Sequence, residues 1–421
     1  MHLKYRLITF ISTIFMTGLV IAQIPPQSIV DKPEIAAANL RPYFHTCSGI
    51  ENNSPKGYKP FYISHFGRHG SRYLSSPKYT KAAFDCFTEA KNQGLLTARG
   101  DSLYKAMILI NEAHDGMYGE LAPLGAREHR AIAKRMYKRE KKVFKSHDRT
   151  KVRCVASIYS RCISSMANFT EELASHAPSL EITYQVGKRY NQQYLNVQPD
   201  PAFKPEANRI IDSLKRVALN PEKLLPLYFT DLEKVKELTS DLYGVEMGMY
   251  FYWGVSYDLD FLKIDLTDLI PLEEIAACGT IESTYRFATV SVPEDFREYT
   301  IVPGKKLLYD IVEKADEAIK ADSDLAADLR FAHDSGLLPM CSLLGIDGYP
   351  TYSINEAFRN WNMSEVVPMC ANMQMVFSRA KGDILVKILV NEKIAVIPDM
   401  TPVEGIFYRW EDIRNHIMNI Y

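Results

Sequence analysis

The chain has 421 residues, 47% hydrophobic and 24% charged, with 50 basic against 51 acidic side chains. That length builds one large domain or two intimate ones, with ample core. The near-balanced charge argues against broad binding to nucleic acid or an anionic membrane, so affinity for a polyanion has to come from a local cationic pocket.

The first residues read as a targeting segment. Lys4 and Arg6 precede an apolar, uncharged run over 7–22, which leads into Pro25-Pro26 and not into a basic stop-transfer flank. Residues 1–22 are therefore expected to be a signal peptide on an exported chain, periplasmic or secreted, with no stable membrane span once it is removed. Residues 23–55, rich in Pro and Asn, read as irregular. Residues 61–66 then form a buried strand ending at Gly67, followed by helical patterns at about 77–93, 99–114 and 123–146. A second strand is expected over 152–159 and a helix over 162–176. Strand, helices, strand, helix is the order of a parallel α/β sheet.

From 186 to 300 the pattern changes to helix-forming segments with Pro breaks and an aromatic cluster at Tyr250, Phe251, Tyr252 and Trp253, more in keeping with helical core than with a ligand stack. An amphipathic helix follows at 303–321, then a short strand at 328–332 ending at His333-Asp334. β character resumes at 373–378, 383–390 and 393–397, the last two joined as a hairpin at Asn391-Glu392. The expected fold is a three-layer α/β/α core with a central mixed, mostly parallel sheet, built from 23–185 and 301–421. Residues 186–300 are expected to be an inserted, mostly helical cap.

Seven cysteines occur, at 47, 86, 154, 162, 278, 341 and 370, with no C-x-x-C spacing. An odd number leaves at least one thiol free in an oxidising compartment.

The densest chemical signal is Arg68-His69-Gly70-Ser71-Arg72, directly after a strand. Open α/β sheets bind ligands at the carboxyl ends of their strands. Two guanidiniums beside one imidazole need acceptors, and a phosphate dianion supplies several to the planar Arg fork. Gly70 is expected to let the backbone turn. Tyr159-Ser160-Arg161, with Ser165 one helical turn beyond, lies at another strand-to-helix junction, where backbone N–H groups also favour an anion. Phe331-Ala332-His333-Asp334 ends a third strand and adds an imidazole and a carboxylic acid. These three strand ends are expected to converge on one crevice.

In these residues the chain resembles the histidine acid phosphatases. The R-H-G-x-R run at 68–72, Arg161-x-x-x-Ser165 and His333-Asp334 carry the resemblance. Gly119-Glu120-Leu121 with Gly125, Val366-Val367-Pro368 and the C-terminal hairpin extend it over about residues 55–400. The layout is most similar to multiple inositol polyphosphate phosphatases and phytases. The resemblance implies that His69 is the nucleophile, its other ring nitrogen bonded to the Gly70 carbonyl. It implies that Arg68, Arg72, Arg161 and His333 hold the phosphate oxygens and that Asp334 protonates the leaving alcohol. One departure is that a His-Ala-Glu triplet usually stands in the inositol polyphosphate enzymes where this chain has His333-Asp334-Ser335.

The partner implied is a small phosphate ester, with no cofactor. Phytate or another inositol phosphate leads, and a broad acid phosphatase acting on sugar phosphates is the alternative. A phosphate-returning mutase fits poorly with an export signal, and a non-catalytic phosphate-ester-binding protein is the reading from another class. No metal is expected at His65 and His69, because Arg68 and Arg72 repel a cation. Lys78, Lys81, Lys188 and Arg189 follow motif-bearing strands and are candidate contacts for further phosphates, with solvated surface charge as the competing reading.

Overall fold

A strand with no polar alternation has to be covered on both faces, and β1 (Lys59–Arg68) is buried at every position after Lys59. The computed structural model describes residues 27–44, 54–380 and 382–420. The expected signal peptide and Cys47 lie outside them. β2 (Lys151–Ala156), β3 (Glu181–Val186), β4 (Leu325–Ala332), β5 (Asn372–Ala380), β6 (Asp383–Val390), β7 (Lys393–Ile394) and β8 (Phe407–Arg409) complete the sheet. Among the described residues it has eight strands, in the order β3-β2-β4-β1-β5-β6-β7 with β8 also paired to β6. β3, β2, β4 and β1 run parallel, β5 is antiparallel to β1, and β6 turns back to run with β1. The sheet is thus mixed, with its parallel half carrying the motifs.

The helices used below are α1 (Lys81–Asn92), α2 (Ala98–His114), α3 (Pro123–Arg139), α4 (Ser160–His176), α5 (Lys204–Ala218), α6 (Leu242–Asp258), α7 (Leu272–Val290), α8 (Arg297–Ile319), α9 (Asp334–Leu343) and α10 (Trp410–Met418). On one face of the sheet Tyr62 and Phe66 pack with Leu307 and Ile311 of α8, Leu337 of α9 and Ile413 of α10. On the other, Ile63 packs with Ile132 and Met136 of α3 and Phe169 of α4. Alternate residues of one strand thereby feed two helical layers. A separate apolar cluster joins α1, α2, α5, α6 and α7 and takes in Tyr250, Phe251, Tyr252 and Trp253.

Several elements differ from expectation. The segment read as irregular contains a helix at Gln27–Asp31 and a 3-10 helix at Pro33–Leu40. Its Ala36, Ala37 and Leu40 are buried against the helical cluster. The approach is close enough that a Cβ on Gly279 would lie 2.2 Å from the Ala36 carbonyl oxygen. Tertiary packing thus orders a stretch whose local composition carries no periodic signal. β3 was not expected. It is an edge strand, largely exposed and rich in polar side chains, so its apolar signal is weak. The second strand stops at Ala156, short of 159, and the third long helix ends at Arg139, a separate turn covering Lys141–Phe144. The hairpin forms at Asn391-Glu392, where φ is 49° and 61°, the left-handed pair that a two-residue turn requires.

Arg330 of β4 is buried and ion-paired to Asp310 of α8 at 2.9 Å. Tyr190 also donates to Asp310, and Arg330 donates to Ser64 Oγ at 3.1 Å. Removing the carboxylate leaves a buried guanidinium without its counter-charge. Asp310→Ala is therefore expected to lower stability by about 3–5 kcal/mol in a denaturant titration. A loss below about 1 kcal/mol would mean that water reaches Arg330.

Candidate active site

β2, β4 and β1 are adjacent in that order, and their pairing continues past the strand ends. Ser157 N donates to Phe331 O at 2.9 Å, and His69 N donates to Ala332 O at 2.9 Å. The segments that follow β1, β2 and β4 therefore leave the sheet side by side. They bring His69 within 5.7 Å of His333, ring centre to ring centre. The Tyr159 ring stands edge-on to His333 at 5.2 Å, and the Arg161 guanidinium lies over Tyr159 at 4.7 Å.

His69 is buried, and its Nδ1 lies 3.0 Å from the Gly70 carbonyl oxygen. A carbonyl only accepts, so Nδ1 carries the proton and Nε2 presents a lone pair. Burial first, and then the Arg161, Arg68 and Arg72 cations, hold the imidazole well below its ordinary pKa. The neutral form of the ring is thus favoured. Gly70 N donates in turn to Ser165 Oγ of α4 at 3.2 Å. Ser71 N and Ser71 Oγ donate to Glu128 of α3 at 2.9 and 3.0 Å. Two helices from one layer therefore clamp the turn that carries the imidazole.

The three arginines crowd together, with Asp334 the one carboxylate of the described residues that pairs with any of them. Arg68 is buried and donates to the backbone carbonyls of Val367 and Asn39, each at 2.7 Å. Arg72 donates to Tyr73 O at 2.8 Å, and Arg161 to Gly119 O at 3.4 Å. The Nε atoms of Arg68, Arg72 and Arg161 are each buried with no hydrogen-bond partner among the described residues. Burial, followed by repulsion from Arg161 and Arg68, lowers Arg72 to about 10. Orphaned donors and mutual repulsion in one place are relieved together by an anion with several acceptor oxygens.

His333 has Ser157 Oγ 2.9 Å from its Nε2, and burial followed by the Arg161 cation lowers it to about 3. Asp334 is the first residue of α9, and its Oδ1 accepts from Ser335 N at 3.0 Å. Its Oδ2 lies 3.7 Å from Arg68 Nη2. Burial opposes its ionisation, but Arg68 and Arg286 outweigh that and hold the carboxyl at about 2.

No protein-family model and no curated protein matches the chain. Solved structures do match. The multiple inositol polyphosphate phosphatase of Bifidobacterium longum in complex with phosphate is similar with a TM-score of 0.76 at 19% identity, covering 91% of this chain and 97% of that one. Its complex with inositol hexasulfate gives 0.75 at 18%, covering 90% and 96%. The phytase from D. castellii gives 0.64 at 15%, covering 91% and 84%. The chain has the histidine acid phosphatase fold.

Within this fold the role of Gly70 is steric. Its φ is not in the left-handed region, so no special turn requires it. A Cβ there would instead lie 2.7 Å from both Cα and O of Gly125. The expectation of a glycine-dependent turn is corrected accordingly: the glycine permits the N-terminus of α3 to press on the loop that carries His69. Gly70→Ala is expected to lose most turnover while the bulk of the helical circular dichroism is kept. Unchanged turnover would show that the loop tolerates displacement.

The remaining sequence candidates occupy less distinctive places. Lys81 pairs with Asp85 at 2.5 Å on an exposed face, and Lys78 is exposed in the turn before α1. Lys188 and Arg189 are exposed just after β3, the strand at the sheet edge. The six described cysteines are all free and buried. His65 is packed against Phe169 and Phe331, and burial lowers it to about 3.

Arg286 of α7 was missed. It acts electrostatically on both Asp334 and Arg68, with Glu282 bonded to its Nε at 2.7 Å. In the sequence these two are an i, i+4 charge pair, which reads as a solvated helix face. Only the packing of α7 against the site distinguishes the two cases. Glu128 and Ser157 carried no signal either, because their partners are far away in the chain.

Proposed function

We propose that the chain is a phosphomonoester hydrolase working through a covalent phosphohistidine. His69 Nε2 attacks phosphorus, forming an N–P bond as the ester P–O bond breaks. Asp334 gives its proton to the departing alkoxide. Water then attacks the phosphohistidine, its proton returns to Asp334, and inorganic phosphate leaves. Arg68, Arg72, Arg161 and His333 hold the phosphate oxygens throughout, and no other catalyst is required where donors already face the equatorial oxygens.

The observation that carries this reading is the set of three buried, unpartnered arginine Nε atoms around a neutral imidazole. Substrate binding also resolves the low carboxyl of Asp334. A phosphate dianion offsets Arg68 and Arg286 and adds like charge, so it raises Asp334 toward the range where it carries a proton.

The substrate proposed is phytate or another inositol phosphate. Support comes from the similarity to a phosphatase solved with inositol hexasulfate and to a phytase. A broad acid phosphatase is the second reading, favoured by His333-Asp334-Ser335 in place of the His-Ala-Glu expected of the inositol polyphosphate enzymes. The chain is further proposed to be exported, with 1–22 as its signal and 186–300 as a cap over the α/β core. No helix among the described residues is long and apolar enough to cross a membrane. Phosphate release from phytate is to be measured beside sugar phosphates and simple aryl esters. A kcat/KM for phytate at least about 10-fold above the panel is expected, and equal values would favour the broad enzyme. Phosphate-ester binding without turnover would leave a binding protein.

A further inference from the structure

Of the three arginines in the pocket, Arg161 is the one least tethered by hydrogen bonds. Arg68 is pinned by two carbonyls at 2.7 Å and lies 3.7 Å from Asp334, and Arg72 is bonded to Tyr73 O at 2.8 Å. Among the described residues Arg161 bonds only to Gly119 O, at 3.4 Å, and its Nε has no partner. The carboxylate beside Gly119, that of Glu120, accepts instead from Ser160 Oγ at 2.6 Å. A long side chain held by one weak bond has rotamer freedom to lose, and a ligand that needs it in place bears that cost on binding.

What lies against Arg161 is a ring. Tyr159 stands at the strand-to-helix turn, its backbone extended at φ −77° and ψ 135° and its carbonyl accepting from Cys162 N at 2.9 Å and Ile163 N at 3.2 Å. Its side chain meets that of the residue two places on, and the Arg161 guanidinium carbon sits over the ring, 4.7 Å from its centre. The ring is braced in turn by His333, which it meets at 82° with centres 5.2 Å apart. His333 has Ser157 Oγ 2.9 Å from its Nε2. Ser157, His333, Tyr159 and Arg161 thus form one continuous line of contacts from the end of β2 into the pocket.

Support of this kind differs from an ion pair. A carboxylate beside Arg161 would cancel its charge, and a carbonyl would occupy its N–H donors, so either would compete with an arriving anion. The face of a phenol attracts the cation through the ring quadrupole and takes neither. The N–H edge of the guanidinium stays free for oxygens.

We propose that Tyr159 is a positioning residue whose aromatic face holds the Arg161 guanidinium ready for the phosphate. It acts through Arg161 and does not touch the reacting atoms. The inference rests on the reading of the His69 pocket as a phosphate site. Tyr159 keeps 43% of its surface exposed, so replacing it leaves the apolar core intact.

Inorganic sulfate is the probe, titrated calorimetrically into the whole protein at one pH. Tyr159→Leu and Tyr159→Met, both without a ring, are each expected to raise the Kd by about 5-fold, the scale of a partly desolvated cation–π contact. Tyr159→Phe keeps the ring and is expected to stay within about 2-fold of the wild type. In an Arg161→Ala background, adding Tyr159→Leu is expected to cost less than about 2-fold, because the group it acts on is gone. The full loss persisting in that background overturns the proposal, since the ring would then act on some other group. So does a Phe variant as weak as the Leu variant, which would assign the effect to the hydroxyl, and so does unchanged binding in both Leu and Met variants. Failure of sulfate to bind the wild type is a separate outcome, and it removes the phosphate-site reading together with this one.

Discussion

Replacing His69 by alanine is expected to reduce phosphate release by about 10⁴-fold or more, with little loss of stability. The argument starts from the tautomer. The Gly70 carbonyl 3.0 Å from Nδ1 fixes the proton on that nitrogen and leaves Nε2 as the only nucleophilic atom of the pair of imidazoles so aimed. His333, the other imidazole, has its Nε2 engaged with Ser157. Because burial and three cations hold His69 well below its ordinary pKa, the neutral form that can attack is favoured. Acid-quenching would destroy a phosphohistidine, so the adduct is to be trapped by rapid alkaline quench and located by mass spectrometry. Wild type should carry phosphate on His69 and the alanine variant none. Hydrolysis left intact in His69→Ala, or phosphate found on a different residue, would end the mechanism. A variant that still binds sulfate as the wild type does would show that the arginine pocket survives.

Replacing Asp334 by asparagine is expected to lower kcat by about 10²–10³-fold on alkyl phosphates and far less on aryl phosphates. An alkoxide is a poor leaving group and needs the proton, whereas a nitrophenolate departs without it. The direction of the pH dependence follows from the same carboxyl. In the empty site Asp334 is held at about 2, mostly by Arg68 and Arg286 against the effect of burial. Bound phosphate raises it, and activity on alkyl esters then falls as pH climbs through the raised value, because the acid form is lost. In Asp334→Asn that dependence should flatten. Wild-type kcat that rises steadily toward alkaline pH, or an equal loss on alkyl and aryl esters, would remove Asp334 from the role of acid. Arg286 is a useful companion site, since removing its charge should shift the wild-type profile upward without abolishing it.

Much of the site was legible because its residues stand at strand ends. Three short, mostly apolar strand segments each run into a charged motif: Arg68-His69, Ser160-Arg161 and His333-Asp334. Parallel topology puts such ends on one side of the sheet, and here the order β2-β4-β1 made them neighbours. The groups that stayed hidden have partners far along the chain. Glu128 is 57 residues from Ser71, and its role comes from the packing of α3 on the nucleophile loop. Arg286 looks like half of a surface ion pair until α7 is seen to face Asp334. The 3-10 segment Pro33–Leu40 looked irregular, yet its Asn39 carbonyl accepts from Arg68.

The sequence by itself determined that Arg68, His69, Arg72, Arg161, His333 and Asp334 stand just past strand ends, and the order in which those strands appear. Those features depend on local properties, namely hydrophobic runs, helix starts and the residue types that an anion needs. The tertiary structure alone decided how the pocket is tensioned. It set the tautomer of His69 through Gly70 O, the near contact of Gly70 with Gly125, and the carboxyl of Glu128 against Ser71. Protonation and charge balance depend on distance and burial summed over groups remote in sequence, and only the folded chain brings those groups within reach of one another.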